Sequence, residues 1–157
     1  TEKQAYASID WVSIFVFSGM ISVSSAMDKT GAGKLLAKFC VDLLGGTPSP
    51  LFVAALLFLV SSFLTQFMSN TATATLLCPI GVAIAQQIGA SPHAVVISIT
   101  IGIACAYATP VGTPPNTLVL GPGGYHFMDY VKVGTPLIFV SFIVSMIVIP
   151  IVWPFFK

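Results

Sequence analysis

Leu64-Thr65-Gln66-Phe67-Met68-Ser69-Asn70-Thr71 is the stretch on which the architecture turns. It is a polar run set between two apolar arms, residues 51–64 before it and about 72–88 after it. At ~1.5 Å of rise per residue, a helix over 51–64 reaches about 21 Å, short of the ~30 Å hydrocarbon core of a bilayer. Neither arm is therefore expected to cross alone. They are expected to meet at a polar tip as a re-entrant helical hairpin, which Gly89-Ala90-Ser91-Pro92 closes at its far end.

Downstream, a helix over 93–108 runs into Thr109-Pro110-Val111-Gly112-Thr113-Pro114-Pro115-Asn116-Thr117, where three prolines remove three backbone donors and rule out continuous helix. Helix is expected to resume briefly at 118–120, before a Gly121-Pro122-Gly123-Gly124 loop. Next comes a short amphipathic piece, 125–134, carrying Asp129 and Lys132, and then a last span over about 136–153 that is long enough to cross. Trp153, Phe155 and Phe156, ahead of Lys157, read as an interfacial anchor.

Upstream, residues 1–10 form a polar lead-in. A transmembrane helix over 11–27, with Trp11 at the interface, is followed by a helix over about 31–44 lying along the membrane surface. In that helix Lys34, Lys38 and Asp42 recur every four residues opposite Leu35, Leu36, Phe39, Leu43 and Leu44. The expected organisation is thus 1–10 lead-in, 11–46 transmembrane and interfacial helices, 47–124 hairpin and broken helix, and 125–157 interfacial segment and final span.

The composition agrees with a membrane setting. Of 157 residues 56% are hydrophobic and 7% charged, and mean hydropathy is +0.98. Soluble domains carry about a quarter charged residues, which argues against an ordinary soluble enzyme. Residues 43–128 contain no Asp, Glu, Lys or Arg. A net charge of +1 offers no basic surface to a phosphate backbone, so nucleic acid is not an expected partner. Cys40, Cys78 and Cys105 stand in apolar sequence without paired spacing and read as small buried residues. The first residue is Thr and no signal-peptide pattern opens the chain, so a longer parent is expected.

Main-chain groups left bare in hydrocarbon cost several kcal/mol each, so broken helix persists at membrane depth only inside protein or beside a polar cavity. Two breaks close in sequence are the build of secondary transporters, in which half-helix N-termini face an anion and unwound carbonyls hold a cation. Asn70, Thr71 and Thr73 stand where the second arm begins and supply neutral donors for a carboxylate. The simpler role for Ser69-Asn70-Thr71 is to cap that arm. The carbonyls of 65–68, at the end of the first arm, are placed for a cation, and they could instead accept from Gln66 or water.

At these residues the sequence resembles the divalent anion/sodium symporters, the dicarboxylate and citrate carriers. Leu64 to Thr71 carries that family's Ser-Asn-Thr signature, and Ala108-Thr109-Pro110-Val111-Gly112-Thr113-Pro114-Pro115-Asn116-Thr117 looks like its broken-helix loop. The resemblance extends from about Ile9 to Lys157. It implies an all-α integral membrane fold, one half of an inverted-repeat, elevator-type transporter, with this chain as the C-terminal repeat. It implies sodium-coupled uptake of di- or tricarboxylates by a multi-pass protein of the cell (inner) membrane, usually a homodimer. The family's signature roles, carried over, give Ser69, Asn70 and Thr71 to the substrate, with Thr113 and Pro114 beside it. They give Thr65, Met68, Asn70, Gly112 and Asn116 to a sodium ion. The family uses two signature triplets and one is present here, so a missing N-terminal repeat or a partner half is expected to complete the site.

Two other functions compete with sodium symport: a sodium-independent carboxylate exchanger or sulfate carrier, and a non-transporting membrane subunit. No Arg or Lys lies near either break, which favours ion coupling over a fixed positive charge. His93 and His126, the latter three residues before Asp129, read as solvated or capping residues, and no nucleophile with an oriented base marks an enzyme. Gly102 and Ala106 read as close helix packing, as do Phe52, Phe58 and Phe63. Lys29, Lys34 and Lys38 place their end of the first span in the cytoplasm by the positive-inside rule, whereas the resemblance has the hairpin open from the outer face.

Overall fold

The computed structural model describes residues 48–156 and, ahead of them, individual positions between 15 and 42. The expected first span over 11–27 and surface helix over 31–44 lie outside the continuously described residues. Over 48–156 all regular structure is helical: α1 (Pro50–Leu64), α2 (Asn70–Gln87), α3 (Pro92–Ala104), α4 (Pro114–Leu120) and α5 (Phe127–Val152).

Local chemistry sets the ends of the first three helices. Ser49 caps α1, its hydroxyl accepting from Phe52 N–H at 3.2 Å, with Pro50 in the first turn where no donor is needed. Ser69 does the same for α2 through Ala72 N–H at 3.2 Å. At the other end of α2, Gly89 takes φ +70°, and Ala90 N–H returns to Ala85 O at 2.8 Å, a left-handed closure that glycine reaches without strain. Pro92 then opens α3.

α3 packs against both α1 and α2 and carries the centre of the core, where Val95, Ile99 and Ile103 meet Val53, Leu57, Leu77 and Ile84. Small residues allow the close approach. A Cβ on Gly102 would stand 2.6 Å from Phe58 O, and one on Gly81 would run into Ile99. Ser98 Oγ donates to Ala54 O at 2.7 Å across the same α1–α3 contact. In lipid, where leaving water provides no drive, such packing and interhelical hydrogen bonds hold helices together. Gly102 thus does what its spacing suggests; Ala106 lies beyond the end of α3.

α5, 26 residues and about 39 Å long, is the one described helix long and apolar enough to cross a membrane. Phe142 meets Phe58 of α1 edge to face at 5.4 Å, while Phe139, Ile143, Ile147 and Ile151 remain exposed. Of the other two phenylalanines expected to pack, Phe52 and Phe63 are exposed, Phe63 lying edge to face with Phe67 at 5.3 Å.

Four boundaries differ from the sequence expectation. The helix expected over 93–108 stops at Ala104, because the following backbone leaves helical geometry to cross Gly134, where a Cβ would come within 2.6 Å of Ala108 Cα. Pro114 and Pro115 do not merely break helix; they open α4, since proline's fixed φ suits a first turn. The amphipathic piece and the last span are one helix, with Pro136 and Pro150 inside it. Asp129 starts that helix by accepting from His126 N–H at 2.8 Å. Finally, Phe155 is no plain interfacial anchor: it packs against the core, and its carbonyl accepts from Ser91 N–H at 2.7 Å.

Candidate functional site

The tip between α1 and α2 (65–69) and the stretch between α3 and α4 (105–113) lie together, joined by hydrogen bonds. Gln66, buried, is the centre of the junction. Its Nε2 donates to Ser62 O at 2.8 Å and Cys105 O at 2.9 Å, and its Oε1 accepts from Ala108 N–H at 3.1 Å. Thr109 Oγ1 donates to Gln66 O at 2.9 Å and accepts from Gly112 N–H at 3.2 Å.

Each expected site residue has a definite position. Thr65, fully buried, donates through Oγ1 to Asn70 Oδ1 at 2.6 Å. Asn70 therefore keeps both Nδ2 hydrogens and one Oδ1 lone pair. Ser69 is exposed and acts as the α2 cap; its carbonyl also accepts from Thr73 N–H at 3.0 Å and Thr73 Oγ1 at 3.1 Å. Capping and ligand binding are thus not alternatives across the triplet, because Ser69 alone caps. Thr71 is half-buried and its hydroxyl makes no hydrogen bond among the described residues.

The N–H groups of Asn70 and Thr71, at the start of an 18-residue helix, also donate to no acceptor among the described residues. They carry the positive end of the helix dipole. Of the tip carbonyls, that of Gln66 is taken by Thr109, whereas those of Thr65, Phe67 and Met68 accept nothing among the described residues. Donors and acceptors are thus left over within one short turn, in sequence without a charged side chain.

The second break is more self-contained. Asn116 Nδ2 donates to Ala106 O at 2.9 Å and Thr109 O at 3.0 Å, and Thr117 Oγ1 donates to Pro110 O at 2.7 Å. Asn116 O in turn accepts from Tyr130 OH at 2.8 Å, which ties the loop to α5. Tyr107 OH reaches Ser141 Oγ at 2.7 Å to the same effect. Gly112 is buried against Ala106 O, which a Cβ would approach to 3.1 Å, and its own carbonyl has no partner among the described residues. Thr113 is half-buried with its carbonyl bonded to Asn116 N–H at 3.1 Å, and Pro114 is exposed.

The structure therefore brings Thr65 onto Asn70 directly, and the tip onto Gly112 and Asn116 through Gln66 and Thr109. Among the described residues no hydrogen bond crosses between the breaks from Ser69, Thr71, Thr113 or Pro114. The oxygens with capacity left at the two breaks, among the described residues, are neutral ones, among them the carbonyls of Thr65, Met68 and Gly112 and the side-chain oxygens of Asn70 and Asn116. That suits sodium by donor type. Gln66 and Thr109 were not among the expected site residues. Their only signal in the sequence was being polar in a charge-free stretch; that each would bond backbone about forty positions away was not readable there.

The chain is similar to known transporters. The chain is 40% identical over 153 residues to the uncharacterized transporter YfbS of Escherichia coli (strain K12), covering 98% of this chain and 25% of that protein. It is 36% identical over 134 residues to the uncharacterized transporter sll0640 of Synechocystis, covering 85% of this chain and 22% of that protein. It is 30% identical over 146 residues to the sodium-dependent dicarboxylate transporter SdcS of Staphylococcus aureus (strain USA300), covering 93% of this chain and 28% of that protein. The chain spans about a quarter of the length of these curated relatives. These relatives are transporters, not enzymes. The model of the citrate transporter family, CitMHS, matches residues 1–156, and with nearly the whole chain so matched, the protein belongs to that family of integral membrane transporters.

Proposed function

We propose that this chain is the C-terminal repeat of a sodium-coupled secondary carrier of di- or tricarboxylates. The observation that carries the proposal is the tip at 65–71, where helix-start N–H groups and helix-end carbonyls both lack partners among the described residues, in charge-free sequence. A carboxylate entering a membrane must exchange its water for donors, and α2 supplies the Asn70 and Thr71 N–H groups, Asn70 Nδ2 and the Thr71 hydroxyl. Thr113 and Pro114 border the bound acid, and Ser69 keeps α2 capped.

Sodium is held by the carbonyls of Thr65, Met68 and Gly112 with Asn70 Oδ1 and Asn116 Oδ1. Because Asn70 serves both ligands, the cation and the anion each neutralise a cost the other would bear alone, and uptake of one comes to depend on the other. The relative SdcS is by name a sodium-dependent dicarboxylate transporter, which supports this coupling. A missing N-terminal repeat supplies the rest of the site, α1 and α2 act as a re-entrant hairpin, and the whole protein works as an elevator-type homodimer in the inner membrane.

The test is uptake of labelled succinate by the whole protein in proteoliposomes. Replacing sodium by choline is expected to abolish uptake, and so are Asn70→Ala and Thr71→Ala in sodium. Continued exchange of internal for external dicarboxylate in choline would establish an exchanger, and full uptake by both variants would remove the site.

A further inference from the structure

We infer that Gln66 is a positioning residue, which sets the tip at 65–68 against the broken stretch at 105–112 so that their oxygens converge on one cation; this rests on the carrier function proposed above. All of its side-chain bonds are to main chain. Nε2 faces two carbonyls, Ser62 O and Cys105 O, and Oε1 faces an N–H, that of Ala108, so the amide has one orientation that satisfies every partner. Its own carbonyl receives Thr109 Oγ1, and that hydroxyl holds Gly112 N–H.

The consequence follows from where these bonds fall. Cys105 is the residue at which α3 ends, so its carbonyl has lost its helical partner, and Gln66 replaces that partner from the other break. Ala108 stands in the non-helical backbone that crosses Gly134. One side chain therefore fixes where α3 stops and where the following segment runs. The main-chain carbonyl of Gln66, through Thr109, also holds Gly112, whose own carbonyl is one of the oxygens assigned to sodium. Gln66 is assigned no atom on the cation, because its amide is turned to the main chain of Ser62, Cys105 and Ala108. Its effect passes through Thr65 and Met68, its neighbours on the tip, and through Gly112.

Gln66→Met keeps the length and burial of the side chain, removes its three amide hydrogen bonds and leaves the main-chain carbonyl that Thr109 bonds. In the whole protein in proteoliposomes, this variant is expected to need about tenfold more sodium for half-maximal succinate uptake, with a maximal rate within about twofold of the unsubstituted protein. Hydrogen exchange over 105–112 gives a readout independent of transport, and the Ala108 amide, which loses its acceptor, is expected to exchange about tenfold faster in the variant. Unchanged exchange overturns the inference, as does faster exchange with an unchanged sodium requirement, which would make Gln66 a structural strut alone. If Gln66→Met fails to accumulate, Thr109→Val and Thr109→Ser test the other link of the same junction, the bond from Thr109 Oγ1 to the Gln66 main-chain carbonyl. Serine keeps the hydroxyl and should behave as the unsubstituted protein, while valine should show the higher sodium requirement; equal behaviour overturns the inference. Absence of any sodium-dependent uptake by the unsubstituted protein would instead defeat the carrier function, while the exchange measurement still reports on Gln66.

Discussion

The chain interrupts its helices twice, and the two interruptions treat their backbone in opposite ways. Between α3 and α4, Asn116, Thr117 and Thr109 turn inward and bond the carbonyls of Ala106, Thr109, Pro110 and Gln66, so side chains of the loop use up most of what the break exposes. Between α1 and α2, Ser69 caps its helix and Thr65 bonds Asn70, yet three tip carbonyls and two helix-start N–H groups are left without partners among the described residues. Proline is the reason for part of the contrast. Pro114 and Pro115 begin α4 without donors, whereas Asn70 and Thr71 begin α2 with theirs. One break is a brace and the other is an opening.

If that division is right, substitutions at the tip should cost transport and substitutions at the brace should cost stability. Thr71→Ala gives the sharpest separation, since its hydroxyl bonds nothing among the described residues. Uptake should fall roughly 100-fold, as for a lost hydrogen bond to a charged group, while thermal stability in detergent moves by no more than about 0.5 kcal/mol. A large stability loss with this variant would mean that the tip is structural. Gly134→Ala should destabilise by about 3 kcal/mol, because the new Cβ meets main-chain atoms of Ala108 that cannot yield, and thermal-shift measurement reads the loss.

Asn116→Ala removes two bonds to loop carbonyls and should cost about 2 kcal/mol in the same assay. Because Asn116 Oδ1 is also assigned to sodium, this variant tests the boundary between brace and opening: a raised sodium requirement without destabilisation would move it to the opening. Ser69→Ala is the smallest change. Losing the α2 cap should cost about 1 kcal/mol, with substrate half-saturation little altered.

Much of this was legible in the residues. The shortness of the arm before Thr65, the proline cluster after Thr109 and the glycine-proline ends of the helices placed both breaks, since each depends on local geometry. Two features were not legible, and for one reason. The end of α3 at Ala104 and the docking of Phe155 on the core depend on partners far along the chain: Gln66 and Gly134 for the first, Ser91 for the second. A local pattern reports what a segment tolerates, and tertiary contact selects among the tolerated states.

The sequence by itself determined that residues 43–128 meet no charge, that short apolar arms stop at a Ser-Asn-Thr turn, and that a second, proline-rich turn follows. Those facts are local and rest on composition, helix rise and the missing donors of proline. The tertiary structure decided that the two turns touch, that Gln66 joins them, and which backbone groups remain open once Thr109, Asn116 and Ser69 have taken theirs. Which groups stay open can be settled only in three dimensions, because a hydrogen bond between residues some forty positions apart leaves no mark on the spacing of either one.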